Sequence, residues 1–126
     1  MKREQNYKTI FSDIDGTLIR QVPFEELNEN NVELLPGVAE KLAEWYEEGH
    51  YIVLTTARPE KYRGLTIRQM TNAGINFHQL VMGIGREERI LINNNSKNTP
   101  DVNRAFAVPV HRDGGFESVD FTSVGL

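Results

Sequence analysis

The chain has 126 residues, 39% of them hydrophobic and 25% charged, with a formal net charge of -4. It has no cysteine, which excludes disulfides, thiolate catalysis and cysteine–zinc sites. No apolar run approaches the ~20 residues of a membrane span, and no Lys/Arg block marks a general nucleic-acid binder. These values predict one soluble, cytoplasmic domain over 1–126. Met1–Asn6 has no apolar core for a signal peptide, and His50, His78 and His111 show no ligand spacing.

Residues 7–12 read as a first strand, ending at Asp13. Residues 19–36 are polar and irregular, a loop with room for a short hairpin or turn. Val38, Leu42, Trp45 and Tyr46 recur at one-face spacing and predict a helix over 37–48, stopped by Gly49. Tyr51-Ile52-Val53-Leu54 is a continuous apolar run, as suits a strand of a parallel sheet, and it ends at Thr55-Thr56. Pro59 opens a second helix through Tyr62, Thr66, Met70 and Ala73, with Gly74 at its stop. Leu80–Met82, Arg89–Ile92 and Ala105–Val108 read as third, fourth and fifth strands, with a loop from Gly83 to Glu88. The tail after 110 has no firm pattern. Strands alternating with helices predict a parallel sheet with helices on both faces. Ligands of such sheets bind beyond the carboxyl ends of the strands. Asp13/Asp15, Thr55/Thr56 and Asn93/Asn94 all fall at that edge.

The chemistry concentrates in Asp13-Ile14-Asp15-Gly16-Thr17-Leu18. A strand that ends in two acids is poorly explained by packing, because carboxylates are rarely buried without a partner. One carboxylate of such a pair can attack phosphorus, and the other can serve as acid and then base. Gly16 permits close approach of backbone to a phosphate. An ordinary Asx turn is the bland alternative. An EF-hand loop starting at Asp13 would need its closing glutamate at Phe24, one residue out of register with Glu25.

This motif resembles the first motif of the haloacid dehalogenase superfamily of phosphotransferases. Ile52-Val53-Leu54-Thr55-Thr56-Ala57-Arg58 resembles its second motif, and the resemblance runs over roughly 7–110. It implies a three-layer α/β sandwich around a parallel sheet of about five strands in the order 5-4-1-2-3. It implies Asp13 as nucleophile and Mg²⁺ ligand, and Asp15 as general acid/base with its carbonyl on the metal. Thr56 would hold the phosphoryl group, with Thr55 as second choice. Ile14, Gly16 and Ala57 would complete the phosphate cradle. No lysine lies between 62 and 96, so the third-motif cation falls to an arginine, Arg86 in preference to Arg89. The fourth-motif aspartate falls on Asn94, which gives the Mg²⁺ site a neutral ligand. The gap 18–36 is too short for an inserted cap domain and the gap 59–85 is used by one crossover helix and a strand, so the chain reads as capless.

The expected function is a Mg²⁺-dependent phosphatase working through an aspartyl-phosphate on Asp13. The acidic balance favours a phosphorylated small molecule, such as a sugar or nucleotide phosphate, over nucleic acid, with a polynucleotide 3′-phosphatase as a lower option. The alternative is a weak or inactive module of this fold that binds a phosphorylated ligand or a partner protein, as the triple asparagine suggests. Phe116, Val119 and Phe121 either pack on their own domain, the favoured reading, or serve a homo-oligomer interface.

Overall fold

A computed structural model of the chain describes residues 7–126, so the Met1–Asn6 stretch lies outside the described residues. The elements are β1 (Thr9–Asp13), α1 (Val38–Glu47), β2 (Tyr51–Thr55), α2 (Arg63–Asn72) and β3 (Gln79–Val81). Short 3₁₀ turns lie at Phe24–Glu26, Glu60–Tyr62 and Thr122–Val124. The three strands are parallel, in the order β1-β2-β3. Ser12 lies opposite Leu54, Asp13 opposite Thr55, and Leu54 opposite Leu80.

Period-two alternation sorts the strand residues. Ile10, Ile52, Leu54 and Leu80 share one face and one core cluster with Val38, Leu42 and Trp45 of α1 and Met70 of α2. The other face carries Phe11 and Val81, 57% and 38% exposed, on either side of a buried Val53. The crossovers from β1 to β2 and from β2 to β3 step in the same direction, and connections of the usual right hand then place both helices on one side, in keeping with the shared core cluster. Helices therefore cover one face of this sheet, where the alternating pattern predicts both.

The fourth and fifth predicted strands form no strand in this sheet. Ile90 and Ile92 are 84% and 91% exposed. Only seven residues (82–88) separate β3 from Arg89, and they contain Gly83 and Gly85 and no helix. A parallel crossover ordinarily uses a dozen or more residues, usually with a helix. Nothing local presses the segment onto the free edge of β1.

The tail folds back onto its own domain, as the favoured reading of its apolar residues expects. Phe116 and Phe121 are buried, and the Trp45 ring meets Phe121 edge-on at 4.9 Å and Phe116 at 5.9 Å. The lock is a backbone approach: Phe116 N–H donates to Pro36 O at 2.7 Å. Gly115 sits there at φ 76, and a Cβ at this position would lie 2.4 Å from Pro36 O, so only glycine fits. The polar loop after β1 is tied down by bridges of Ile19 to Asp15 and to Leu34.

Candidate active site

Asp13 is the last residue of β1, and Asp15 lies in the turn that follows. That turn is fixed by its backbone. Thr17, Leu18 and Ile19 N–H all donate to Ile14 O, and Gly16, at φ 81, donates to Ile19 O at 2.8 Å. Both acids line one cleft of about 110 Å³ with Gln21, Phe24, Ala57, Arg86, Arg89 and Arg112.

The two carboxylates have different surroundings. Asp13 Oδ2 accepts from Thr17 Oγ1 at 3.2 Å. Burial raises its pKa above the ordinary 3.8, opposed by the Thr17 hydrogen bond and by the charge of Arg89. Asp15 is 8% exposed at its side chain and paired with Arg58, which is fully buried. Arg58 Nη2 donates to Asp15 Oδ1 at 2.8 Å and Nε donates to Oδ2 at 3.0 Å. The remaining amino group, Nη1, donates to Thr66 Oγ1 at 2.9 Å and Gln69 Oε1 at 2.6 Å, both on α2. Gln69 Nε2 in turn donates to Asn28 O at 2.7 Å. A buried guanidinium is tolerated because its donors are occupied.

Thr56 is fully buried behind the pair. Its hydroxyl donates to Asp15 Oδ2 at 3.3 Å and accepts from Arg58 N–H at 3.0 Å. Thr55 Oγ1 donates to Ser12 O at 3.4 Å. Of the expected phosphate cradle, the Gly16 N–H is committed to Ile19, whereas those of Asp15 and Ala57 have no acceptor among the described residues. Arg86 lines the cleft with its guanidinium 4.6 Å from the Phe24 ring centre, and Arg89 is the cation whose charge reaches Asp13. Asn94 is not brought to this cleft; it is exposed, and its Oδ1 accepts from Arg104 at 3.3 Å.

Several residues of the site carry no motif. Thr66 and Gln69, three apart on α2, look like polar interruptions until Arg58 is seen between them; their helical spacing beside an arginine is the only signal in the sequence. Arg112 and Asp113 come from the tail. Asp113 N–H donates to Gly16 O at 2.7 Å, and its Oδ1 accepts from Gln21 N–H at 3.0 Å. The tail thus closes over the first motif.

The donor set suits a water-rich Mg²⁺ site. Mg²⁺ is typically bound by one or two carboxylates and substrate phosphate, with waters completing the octahedron. Asp13 supplies a carboxylate, and the Asp15 carbonyl accepts no hydrogen bond from the described residues. No group of three His, Cys, Asp or Glu residues that could form an all-protein cage occurs among the described residues. None of their helices is long and apolar enough to cross a membrane.

Among solved structures, a chain of the Pnkp1/Rnl/Hen1 complex superposes with a TM-score of 0.54 at 22% identity over 71% of this chain, which spans 33% of that one. A structural-genomics target from Vibrio cholerae superposes with a TM-score of 0.52 at 19% identity, over 68% of this chain and 79% of that one. At these identities the likeness is one of fold. Curated protein sequences give no significant match. The sequence profile described as haloacid dehalogenase-like hydrolase matches residues 10–81, more than half of the chain, from the second residue of β1 through the end of β3. The chain belongs to the haloacid dehalogenase-like hydrolases.

Proposed function

We propose that the protein is a Mg²⁺-dependent phosphatase, a single domain without a cap, that hydrolyses a phosphorylated small molecule through an aspartyl-phosphate on Asp13. One observation carries this reading. Asp13 stands at the carboxyl end of β1 in a cleft that also holds three arginines and the free N–H of Ala57. Those groups complement a phosphoryl group and not a metal cage.

In this reading Asp15 enters the first step carrying a proton; an Asp13 carboxylate oxygen attacks phosphorus, the bond to the leaving oxygen breaks, and Asp15 gives that oxygen its proton. Asp15 then takes a proton from water, whose oxygen attacks phosphorus. The bond to Asp13 breaks, releasing phosphate and restoring the carboxylate. Asp13 and the Asp15 carbonyl would hold Mg²⁺, which supplies charge neutralisation between two anions. Arg89, whose charge reaches Asp13, takes the work of the missing third-motif lysine in place of Arg86. Thr56 acts here through Asp15, to which its hydroxyl is bonded.

The fuller sheet, in the order 5-4-1-2-3, belongs to the same reading. β1 has no strand on its outer edge among the described residues, and Arg89-Ile90-Leu91-Ile92 exposes its apolar side chains. Seven extended residues reach about 23–25 Å, which still spans the ~14 Å sideways over three strand spacings combined with the ~13 Å back along a four-residue strand, though without room for a helix. Pairing there would bring Asn93 and Asn94 towards Asp13. The second reading, a binding module of low activity, is favoured by the position of Asn94 outside the cleft.

Steady-state turnover of p-nitrophenyl phosphate tests the proposal. The expected result is Mg²⁺-dependent hydrolysis that EDTA removes; no turnover over a broad phosphomonoester panel would favour the binding module.

A further inference from the structure

The described arginines divide sharply by partner. Arg20, Arg58, Arg63 and Arg68 each pair with a carboxylate. Arg104 donates to Asn94. Arg86, Arg89 and Arg112 have no carboxylate within 4.0 Å among the described residues, and all three line the same cleft. The chain carries 18 acids against 14 lysines and arginines. In such a chain, three arginines left without a carboxylate at one place are not explained by a shortage of acids. Glu87 and Glu88 are adjacent in sequence and remain in solvent.

Charge balance says what they await. Arg58 is fully buried, held by Asp15, Thr66 and Gln69, and does not reach the rim. Arg89 faces Asp13 and offsets it. A divalent cation offsets the dianion of the reacting phosphoryl group. Arg86 and Arg112 then remain, two positive charges on the rim. Arg86 is braced on the Phe24 ring at 4.6 Å. The Arg112 stem packs over Gly16, where its Cγ would lie 3.3 Å from an added Cβ. Both guanidinium groups face solvent, yet each stem is held in place and neither meets a carboxylate, so the rim presents two positive charges suited to a second dianion.

We infer that Arg86 and Arg112 form a subsite for a second phosphoryl group, so that the substrate is a small bisphosphorylated molecule. This rests on the phosphatase reading above. The occupant is small because Glu25, Glu26, Glu87 and Glu88 are exposed around the cleft residues Phe24, Arg86 and Arg89 and would repel an extended polyanion. Arginine suits the task because its fork grips phosphoryl oxygens two at a time.

Calorimetric titration of the full chain with Mg²⁺ tests this with three probes that have no cleavable ester: propylphosphonate, 4-phosphonobutyrate and propane-1,3-diphosphonate. The expected result is that the diphosphonate binds at least about tenfold tighter than propylphosphonate, with the phosphonocarboxylate between them. Arg112→Gln should remove most of that increment while leaving propylphosphonate within about threefold, and Arg112→Lys should restore part of it. Arg86→Gln should also remove the increment. Equal affinities for the mono- and diphosphonate, an increment that survives both glutamine substitutions, or a phosphonocarboxylate as tight as the diphosphonate would each overturn the inference. Turnover of p-nitrophenyl phosphate is scored separately: its absence, beside an intact diphosphonate increment, overturns the phosphatase and keeps the subsite.

Discussion

Arg58 and Asp15 form a forked ion pair, with Nη2 2.8 Å from Oδ1 and Nε 3.0 Å from Oδ2, at the point where β2 and the turn after β1 meet. The pair sets the direction of the acid/base carboxylate. Through Thr66 and Gln69 it also ties that carboxylate to α2, and through Asn28 to the loop after the first motif. Arg58 is therefore a positioning residue for Asp15 and reaches no substrate itself.

Arg58→Met should lower kcat by at least about tenfold with little change in KM, because a misplaced acid/base costs the transition state more than the ground state. It should also cost about 3–5 kcal/mol of stability, since Asp15 would be left buried without its partner. Arg58→Lys keeps the charge and loses the fork, so it should recover stability in part and kcat less. Kinetics beside urea unfolding separate the two effects; a kcat unchanged in a folded Arg58→Met would remove the positioning role.

The pKa of Asp13 gives a pH dependence with a definite sign. Burial raises it in the folded state, so folded chains hold the proton more tightly than unfolded ones. Stability attributable to Asp13 therefore falls as pH rises from the ordinary 3.8 through the raised value. In EDTA, Asp13→Asn should melt higher than the parent at pH 7, and the gain should shrink as pH falls towards 3.8. Added Mg²⁺ should raise the melting temperature of the parent and not of Asp13→Asn. Melting curves at several pH values read both effects.

The tail should be integral to the fold. Trp45 is 1% exposed, touches both Phe116 and Phe121, and its indole N–H has no acceptor among the described residues. Trp45→Ala should cost about 3–5 kcal/mol. Trp45→Phe loses no hydrogen bond and should cost distinctly less. Denaturant melts of the two variants give the comparison; equal losses would show that the ring contacts contribute little.

What was legible in the sequence follows from where the information lies. β1, α1, β2 and α2 were readable because each has an apolar pattern and a stop, at Asp13, Gly49, Thr55 and Gly74, and β3 from its apolar run alone. The paired acids were readable because strand-end carboxylates need a reason. Arg58 was visible as part of the second motif, but not its partner, because an ion pair across 43 residues leaves no local trace. The burial of Gln69 and the return of Asp113 to Gly16 were hidden for the same reason. Arg89-Ile90-Leu91-Ile92 reads as a strand by composition, yet strand identity also needs a partner edge, which composition does not supply.

That segment makes its own prediction. An aspartate at an exposed surface position changes stability by no more than about 0.5 kcal/mol. Docked on β1, Ile92 would lose about 1.5–3 kcal/mol of burial on the same substitution. Ile92→Asp should destabilise by the larger amount if the fuller sheet forms in solution, and Asn94→Asp should then tighten Mg²⁺ binding and raise turnover. A near-neutral Ile92→Asp with no gain from Asn94→Asp would keep the segment outside the sheet.

The central claim is that Asp13 is the nucleophile. The direct measurement is turnover of p-nitrophenyl phosphate with Mg²⁺ by the parent chain and by Asp13→Asn, with mass analysis of acid-quenched protein. The account predicts turnover by the parent, a phosphoryl adduct on the peptide containing Asp13, and loss of both in Asp13→Asn. Turnover that survives Asp13→Asn would contradict it.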